Sequence, residues 1–308
     1  MVADLRATAA DDHAARVRAN RIGILAMIGA MACFIVNDAL VKYASQTMPA
    51  TQLIFVRGVM ASTLVLGVAK AMGATARISE IARGWVATRA IVDAVATVLY
   101  LLSLFNLPIS SATAINMTSP LIITVLAALL LGERAGLPAW LATGVGFAGV
   151  LLIVQPQSEG FNRYAAVCLL ATVLIAVRDL VTRRVHAGVP SILVTLSNTV
   201  AVTLLAGALS VFEGWRPLGL LDLGILAIAA VFLAAAYFLI VSSTRRGELS
   251  LIAPFRYTGL LFATIVGFVV WGDTPNALAW CGIVLLIGSG IHVLRASRRA
   301  RTAAPSLD

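Results

Sequence analysis

Residues 111–140, SATAINMTSPLIITVLAALLLGERAGLPAW, and residues 251–280, LIAPFRYTGLLFATIVGFVVWGDTPNALAW, read as two copies of one apolar hairpin. An offset of 140 carries Gly132-Glu133 onto Gly272-Asp273 and Trp140 onto Trp280, while an offset of 141 carries Asp38 onto Asp179 and Pro49 onto Pro190. A repeat in so apolar a chain points to a membrane carrier, because inverted repeats are how many carriers expose one site alternately to two sides.

Composition sets the solvent. Sixty percent of residues are hydrophobic, 12% are charged and mean hydropathy is +0.96, which excludes an ordinary soluble domain with a polar surface. A helical span needs about 20 mainly apolar residues. Polar punctuation divides the chain into ten such windows: Ile22–Ser45, Thr51–Met72, Trp85–Phe105, Ile109–Leu131, Leu137–Val154, Tyr164–Val185, Ser191–Phe212, Leu218–Ser242, Leu249–Trp271 and Asn276–Leu294. Pro49, Pro108, Pro138, Pro190, Pro217 and Pro275 fall in linkers or first turns, where a missing N–H does no harm. The runs are apolar on every face and lack period-two alternation, which disfavours barrel strands. The expected fold is an all-α integral membrane protein, with ten transmembrane helices forming two five-helix repeats. Five is odd, so the second repeat enters the membrane inverted.

With an internal N-terminus, seventeen of the 23 Lys and Arg fall inside, Lys42, Arg163 and Arg216 outside, and Arg57, Arg178 and Arg256 within spans. Both termini are therefore read as cytoplasmic. Residues 21–156 and 157–295 form the repeats, and residues 1–20 and 296–308 are expected to be disordered cytoplasmic tails. A net charge of +9 would suggest nucleic acid in a soluble protein. Here the basic residues sit where insertion puts them, so no nucleic-acid partner is expected. The first apolar run is long enough to stay as a span, so no cleavable signal peptide is expected. Cys33, Cys168 and Cys281 lack CxxC or Cys/His spacing and read as small buried hydrophobes; no metal or other cofactor is expected. GxSxG, HExxH, P-loop and Rossmann patterns are missing from any suitable context, so the chain is read as a non-enzyme that draws on a gradient rather than ATP.

The stretch ISSATAINMTSPLIITVLAALLLGER at 109–134, the following GVGFAGVLLIVQP at 144–156 and their weaker echo in the second half resemble the drug/metabolite transporter superfamily, and within it the EamA-type family. The resemblance covers about residues 21–295 and implies two five-helix repeats in a bacterial cytoplasmic membrane. A looser likeness, carried by FIVNDALVKY at 34–43, Pro49 and FVRG at 55–58, is to carriers of the S-adenosylmethionine and riboflavin uptake type. The second repeat departs from the first, with Asp273 for Glu133 and Asn198 where Arg57 stands, so the halves are not functionally equivalent.

Ionisable groups cost roughly 2.5 to 3.5 kcal/mol at a helix centre on insertion scales, so those retained face a partner or a wet cavity. Six stand out: Asp38, Arg57, Asp93, Arg178, Asp179 and Arg256. The antiparallel first hairpin brings Asp38 and Arg57 to similar depth, where they can pair. Asp179 and Asn198 stand in the same relation in the second repeat, with Arg178 replacing the missing Arg57 equivalent. Asp93 falls near mid-membrane, free to carry a proton or to pair with Arg57 or Arg256. Asn116 and Arg256 match at an offset of 140, and Pro254 loosens the helix beside Arg256 and Tyr257, offering backbone groups to a substrate. Tyr100 and Tyr237 offer rings to a planar ligand, or serve packing and the lipid interface. All ten are candidates for substrate binding or coupling, beside the simpler reading of ion pairs that fix helix register. His292 reads as an interface residue, and Glu133 with Arg134 as the end of the fourth span. The glycine spacing of the fifth and tenth spans points to close helix packing, with a homodimer contact open beside a monomer.

Two function classes follow. One is a secondary transporter of a small polar or amphipathic organic metabolite, proton-coupled or exchanging, either exporting amino-acid-like solutes or taking up vitamin- or nucleoside-like ones. The other is a non-transporting membrane scaffold or sensor, which would tolerate loss of the interior charges.

Overall fold

The computed structural model describes residues 2–131, 137–155, 163–186, 188–246 and 249–303. All regular structure among the described residues is helical: α1 Val2–Ala44, α2 Ala50–Ala71, α3 Gly84–Asn106, α4 Ile109–Asn116, α5 Ser119–Leu131, α6 Leu137–Val154, α7 Tyr164–Thr182, α8 Ser191–Glu213, α9 Leu220–Arg246, α10 Leu249–Ile252, α11 Thr258–Trp271 and α12 Ala277–Ala303. Two 3₁₀ segments, Ala74–Ala82 and Ala253–Tyr257, complete the set. Among the described residues eight helical stretches are long and apolar enough to cross a membrane, and Trp140–Val154 and Ala277–His292 are shorter apolar helices.

Local chemistry sets the ends. Pro49, Pro108 and Pro190 stand at the N-caps of α2, α4 and α8 in extended conformation, with no N–H that the helix would leave unpaired. Gly272 closes α11 with a left-handed φ of 70°. Its N–H bonds to Phe268 O and that of Asp273 to Gly267 O, the paired closure that a glycine permits. The counterpart expected at Gly132-Glu133, with Arg134, lies outside the described residues. The tails differ from expectation: α1 begins at Val2 and α12 runs to Ala303. Both extensions are rich in Ala and Arg, strong helix formers.

The fourth and ninth expected spans are each broken near a proline. Pro120 has no N–H for the carbonyl of Asn116, and the chain turns at Met117 and Thr118 before α5 begins. Pro254 opens the 3₁₀ segment between α10 and α11. At the break Thr118 Oγ1 donates to Ile115 O at 2.6 Å, and Thr258 Oγ1 donates to Phe255 O at 2.7 Å. Those two pairs lie 140 residues apart, so the repeat reaches into the detail of the interruption.

Elements of the first half pack chiefly on elements of the second. Helix α1 lies on α9, as α7 lies on α3, while α2 meets α8, α4 meets α11 and α6 meets α12. The pattern is unchanged when the halves are exchanged. One apolar core draws on both, through Leu53, Ile54, Leu104, Ile109, Leu226 and Leu260 among others. Gly149 and Gly282 bring the α6 and α12 backbones so close that a Cβ on either would meet the other helix's backbone, which places the expected small-residue packing inside one molecule. Large apolar side chains such as Phe212 and Leu220 are almost wholly exposed, a perimeter suited to lipid rather than water.

Candidate functional site

Two polar clusters lie inside this apolar bundle. The first sits about two turns from the helix ends at the Pro49 face. Asn37 and Asp38 come from α1, Arg57 from α2 and Tyr100 from α3, all within six or seven residues of those ends. Asn37 Nδ2 donates to Asp38 Oδ1 at 2.9 Å, and Tyr100 donates to Asp38 Oδ2 at 3.0 Å. Arg57 Nη1 donates to Asn37 Oδ1 at 3.1 Å. The expected direct pair of Asp38 with Arg57 is thus replaced by an amide set between them. One step along α1 turns the side chain by about 100°, which gives Asn37, not Asp38, the position facing α2. Arg57 is only 5% exposed, and its Nε is buried without a hydrogen-bond partner among the described residues.

The second cluster lies toward the Pro190 face. Arg178 of α7 bonds Asp93 Oδ1 of α3 at 2.6 Å and Asp179 Oδ1 at 2.7 Å. Asp93 therefore takes neither Arg57 nor Arg256 as partner. The reason is topological: α3 packs on α7, which sets Arg178 opposite it. Arg89 of α3 extends the network, donating to Thr182 Oγ1 and Asn198 Oδ1, both at 2.7 Å. Tyr237 of α9 stands between the clusters, within electrostatic range of Asp93, Arg178, Arg57 and Arg89. Its ring meets Phe34 edge-on at 5.4 Å.

Six of the ten sequence candidates meet in these clusters, Asp38, Arg57, Asp93, Tyr100, Arg178 and Asp179, and a seventh, Tyr237, stands between them; Arg89 and Asn198 complete the second network. Three stay apart. Tyr257 is buried with its hydroxyl pressed against Gly290 of α12, where it has no hydrogen-bond partner among the described residues. Its neighbour Arg256 is exposed. Asn116 ends α4 half-buried and shares no hydrogen bond with Arg256 among the described residues. Consecutive residues after a helix break point in different directions, so depth alone did not decide where these side chains face. Cys281 is also exposed, whereas Cys168 is buried as expected.

Three contributors escaped the sequence reading. Asn37 is uncharged, and Arg89 falls among the seventeen basic residues read as inside. Lys42, read as an outside residue, is only 8% exposed. Its ammonium donates to Leu104 O at 3.0 Å and to Leu107 O, where α3 ends, and lies 5.5 Å from the Trp271 ring. The free carbonyls and negative dipole end of α3 attract it inward. Beyond it, Glu213 accepts from the backbone N–H of Thr51 at 2.8 Å, and Gln52 exchanges hydrogen bonds with the Arg216 backbone. These contacts tie α2 to the end of α8 at the Pro49 face.

The EamA-like transporter family model matches residues 21–155 and again 162–295. The chain belongs to that family. Among relatives of this EamA-like protein, the pseudopaline exporter CntI of Pseudomonas aeruginosa is 28% identical over 282 residues, covering 90% of this chain and 97% of the relative. A riboflavin transporter of Vibrio cholerae is 25% identical over 289 residues, covering 92% and 97%. An S-adenosylmethionine uptake transporter of Rickettsia bellii is 24% identical over 193 residues, 63% of this chain and 66% of the relative. A solved crystal structure at 22% identity superposes with a TM-score of 0.61 over 90% of this chain and 98% of that one, which shows a shared fold.

Proposed function

We propose that this EamA-like protein is a secondary transporter that moves a small polar or amphipathic organic metabolite across a bacterial cytoplasmic membrane by alternating access. It does so with ten spans in two inverted five-helix repeats, both termini cytoplasmic, as a monomer or homodimer. The observation that carries the reading is the pair of interior polar clusters, above all the second, where Arg178 of the second repeat closes on Asp93 of the first. A scaffold has no need of charged groups at that depth, where each is costly to insert. A carrier does, because groups that exchange partners as the halves rock give the two states different affinities for cargo. Asp38, Asp93 and Asp179 are the groups able to take up a proton, and the gradient is used either through them or by exchange of one solute for another. The relatives include both an exporter and uptake carriers, so direction is read from flux.

The test is uptake and counterflow in proteoliposomes holding the purified protein, against the solutes of the relatives and amino-acid-like metabolites. Solute movement that falls at least tenfold in Asp93→Asn, with normal insertion, supports the carrier. Undiminished flux in that variant overturns the role given to the second cluster, and absence of any flux overturns the carrier. Flux that ignores an imposed pH gradient removes proton coupling and leaves exchange.

A further inference from the structure

We infer that Arg57 is the anion-recognising group of the interior, and that the cargo carries a carboxylate. The inference rests on the carrier reading and gives it a substrate class.

A guanidinium has five N–H donors in a planar fork and no way to shed its charge inside a protein. The three interior arginines use that fork differently. Arg178 places three hydrogen bonds on two carboxylates. Arg89 places two, on Thr182 and Asn198. Arg57 is the most deeply buried of them, yet it places one, on the amide oxygen of Asn37, and its buried Nε has no partner among the described residues. A buried charge normally gathers every acceptor within reach. Here the nearest carboxylate is held back: Asp38 is bonded on one oxygen by Asn37 and on the other by Tyr100. Asn37 therefore separates two opposite charges that would otherwise collapse onto each other.

The separated pair suits a ligand that brings an acceptor of its own. A carboxylate fits the guanidinium fork with two parallel bonds and restores the missing contact at Nε. An ammonium on the same solute finds Asp38 one residue along α1. An α-amino carboxylate head satisfies both, with Tyr100 and Tyr237 nearby for the remainder of the molecule. A solute without an anionic group offers the guanidinium only single, uncharged acceptors and leaves its charge uncompensated.

The experiment is thermal unfolding of the purified full chain in detergent against the proteinogenic amino acids and their carboxamides, with S-adenosylmethionine and riboflavin. At least one carboxylate-bearing probe is expected to raise the unfolding temperature while its amide does not. Arg57→Gln is expected to weaken that binding roughly 10- to 100-fold, the loss of a charge-assisted bond or two. Asn37→Asp guards against a variant that merely misfolds. It hands Arg57 a carboxylate from within, at the loss of the amide donor to Asp38, so it is expected to lose the ligand effect in protein that still elutes as a single folded species and unfolds cooperatively without ligand.

The assignment is overturned if amides or riboflavin stabilise as well as carboxylates, if Arg57→Gln or Asn37→Asp binds a carboxylate normally, or if the panel is silent. Arg57-dependent stabilisation without flux keeps the assignment and overturns the carrier. Flux of neutral solutes unchanged in Arg57→Gln does the reverse.

Discussion

The two interior clusters contain the same three residue types in exchanged places. At the Pro49 face α1 carries Asn37 and Asp38 and α2 carries Arg57; 141 residues later α7 carries Arg178 and Asp179 and α8 carries Asn198. Exchanging one arginine with one asparagine between neighbouring helices changes how the cluster is bonded. With arginine beside aspartate on one helix, the guanidinium closes on Asp179 and reaches Asp93. With asparagine there, the amide stands between Arg57 and Asp38 and no ion pair forms. The backbone repeat thus supplies two equivalent frames, and the choice of which helix bears the arginine makes one a closed ion-pair network and the other a site with donors to spare.

The largest effect should come from the closed cluster. Arg178→Gln leaves the buried Asp93 without its bonded cation, beside a part-exposed Asp179, and should cost about 3 kcal/mol in detergent unfolding, the low end for a broken buried pair. Arg57→Gln should cost clearly less, since that cation makes one hydrogen bond; equal losses would break the distinction between the clusters. Next comes Tyr100→Phe, which removes a hydrogen bond to the Asp38 carboxylate and should cost about 1.5–3 kcal/mol. The reciprocal double variant Asn37→Arg with Arg57→Asn tests the exchange itself. It recreates the α7–α8 arrangement on α1–α2, and is expected to stay within about 1.5 kcal/mol of the parent in stability while losing transport, read by unfolding and flux together. Smallest is Tyr257→Phe, outside both clusters. Its hydroxyl is buried without a partner, so removal should be neutral or stabilising by up to about 1 kcal/mol, and a loss of flux there would draw the site toward α11.

Hydropathy alone located the spans closely: Thr51–Met72 was expected where α2 runs Ala50–Ala71, and Ser191–Phe212 where α8 runs Ser191–Glu213. Charge in an apolar window located Asp38, Arg57, Asp93, Arg178 and Asp179, because few residues survive there without partners. The partners themselves were less legible. Asn37 gives no charge signal, and its role depends on which residue of α1 turns toward α2. Lys42 answers to carbonyls freed at the end of α3, an attraction that no residue type announces. Arg256 and Tyr257 stand apart from both clusters for one reason, a break at Pro254 that resets helical phase. Pro120 carried the same warning in the first repeat.

The exchange of arginine and asparagine also has an electrical consequence. Each three-residue set holds one carboxylate and one guanidinium, and Arg89 with Asp93 adds one of each, so the interior clusters carry no net formal charge. Moving one elementary charge through 100 mV involves about 2.3 kcal/mol. Clusters whose charges cancel give the membrane voltage little to pull on when each moves as a unit, so a current that accompanies transport reports chiefly the charge of the cargo and of whatever travels with it.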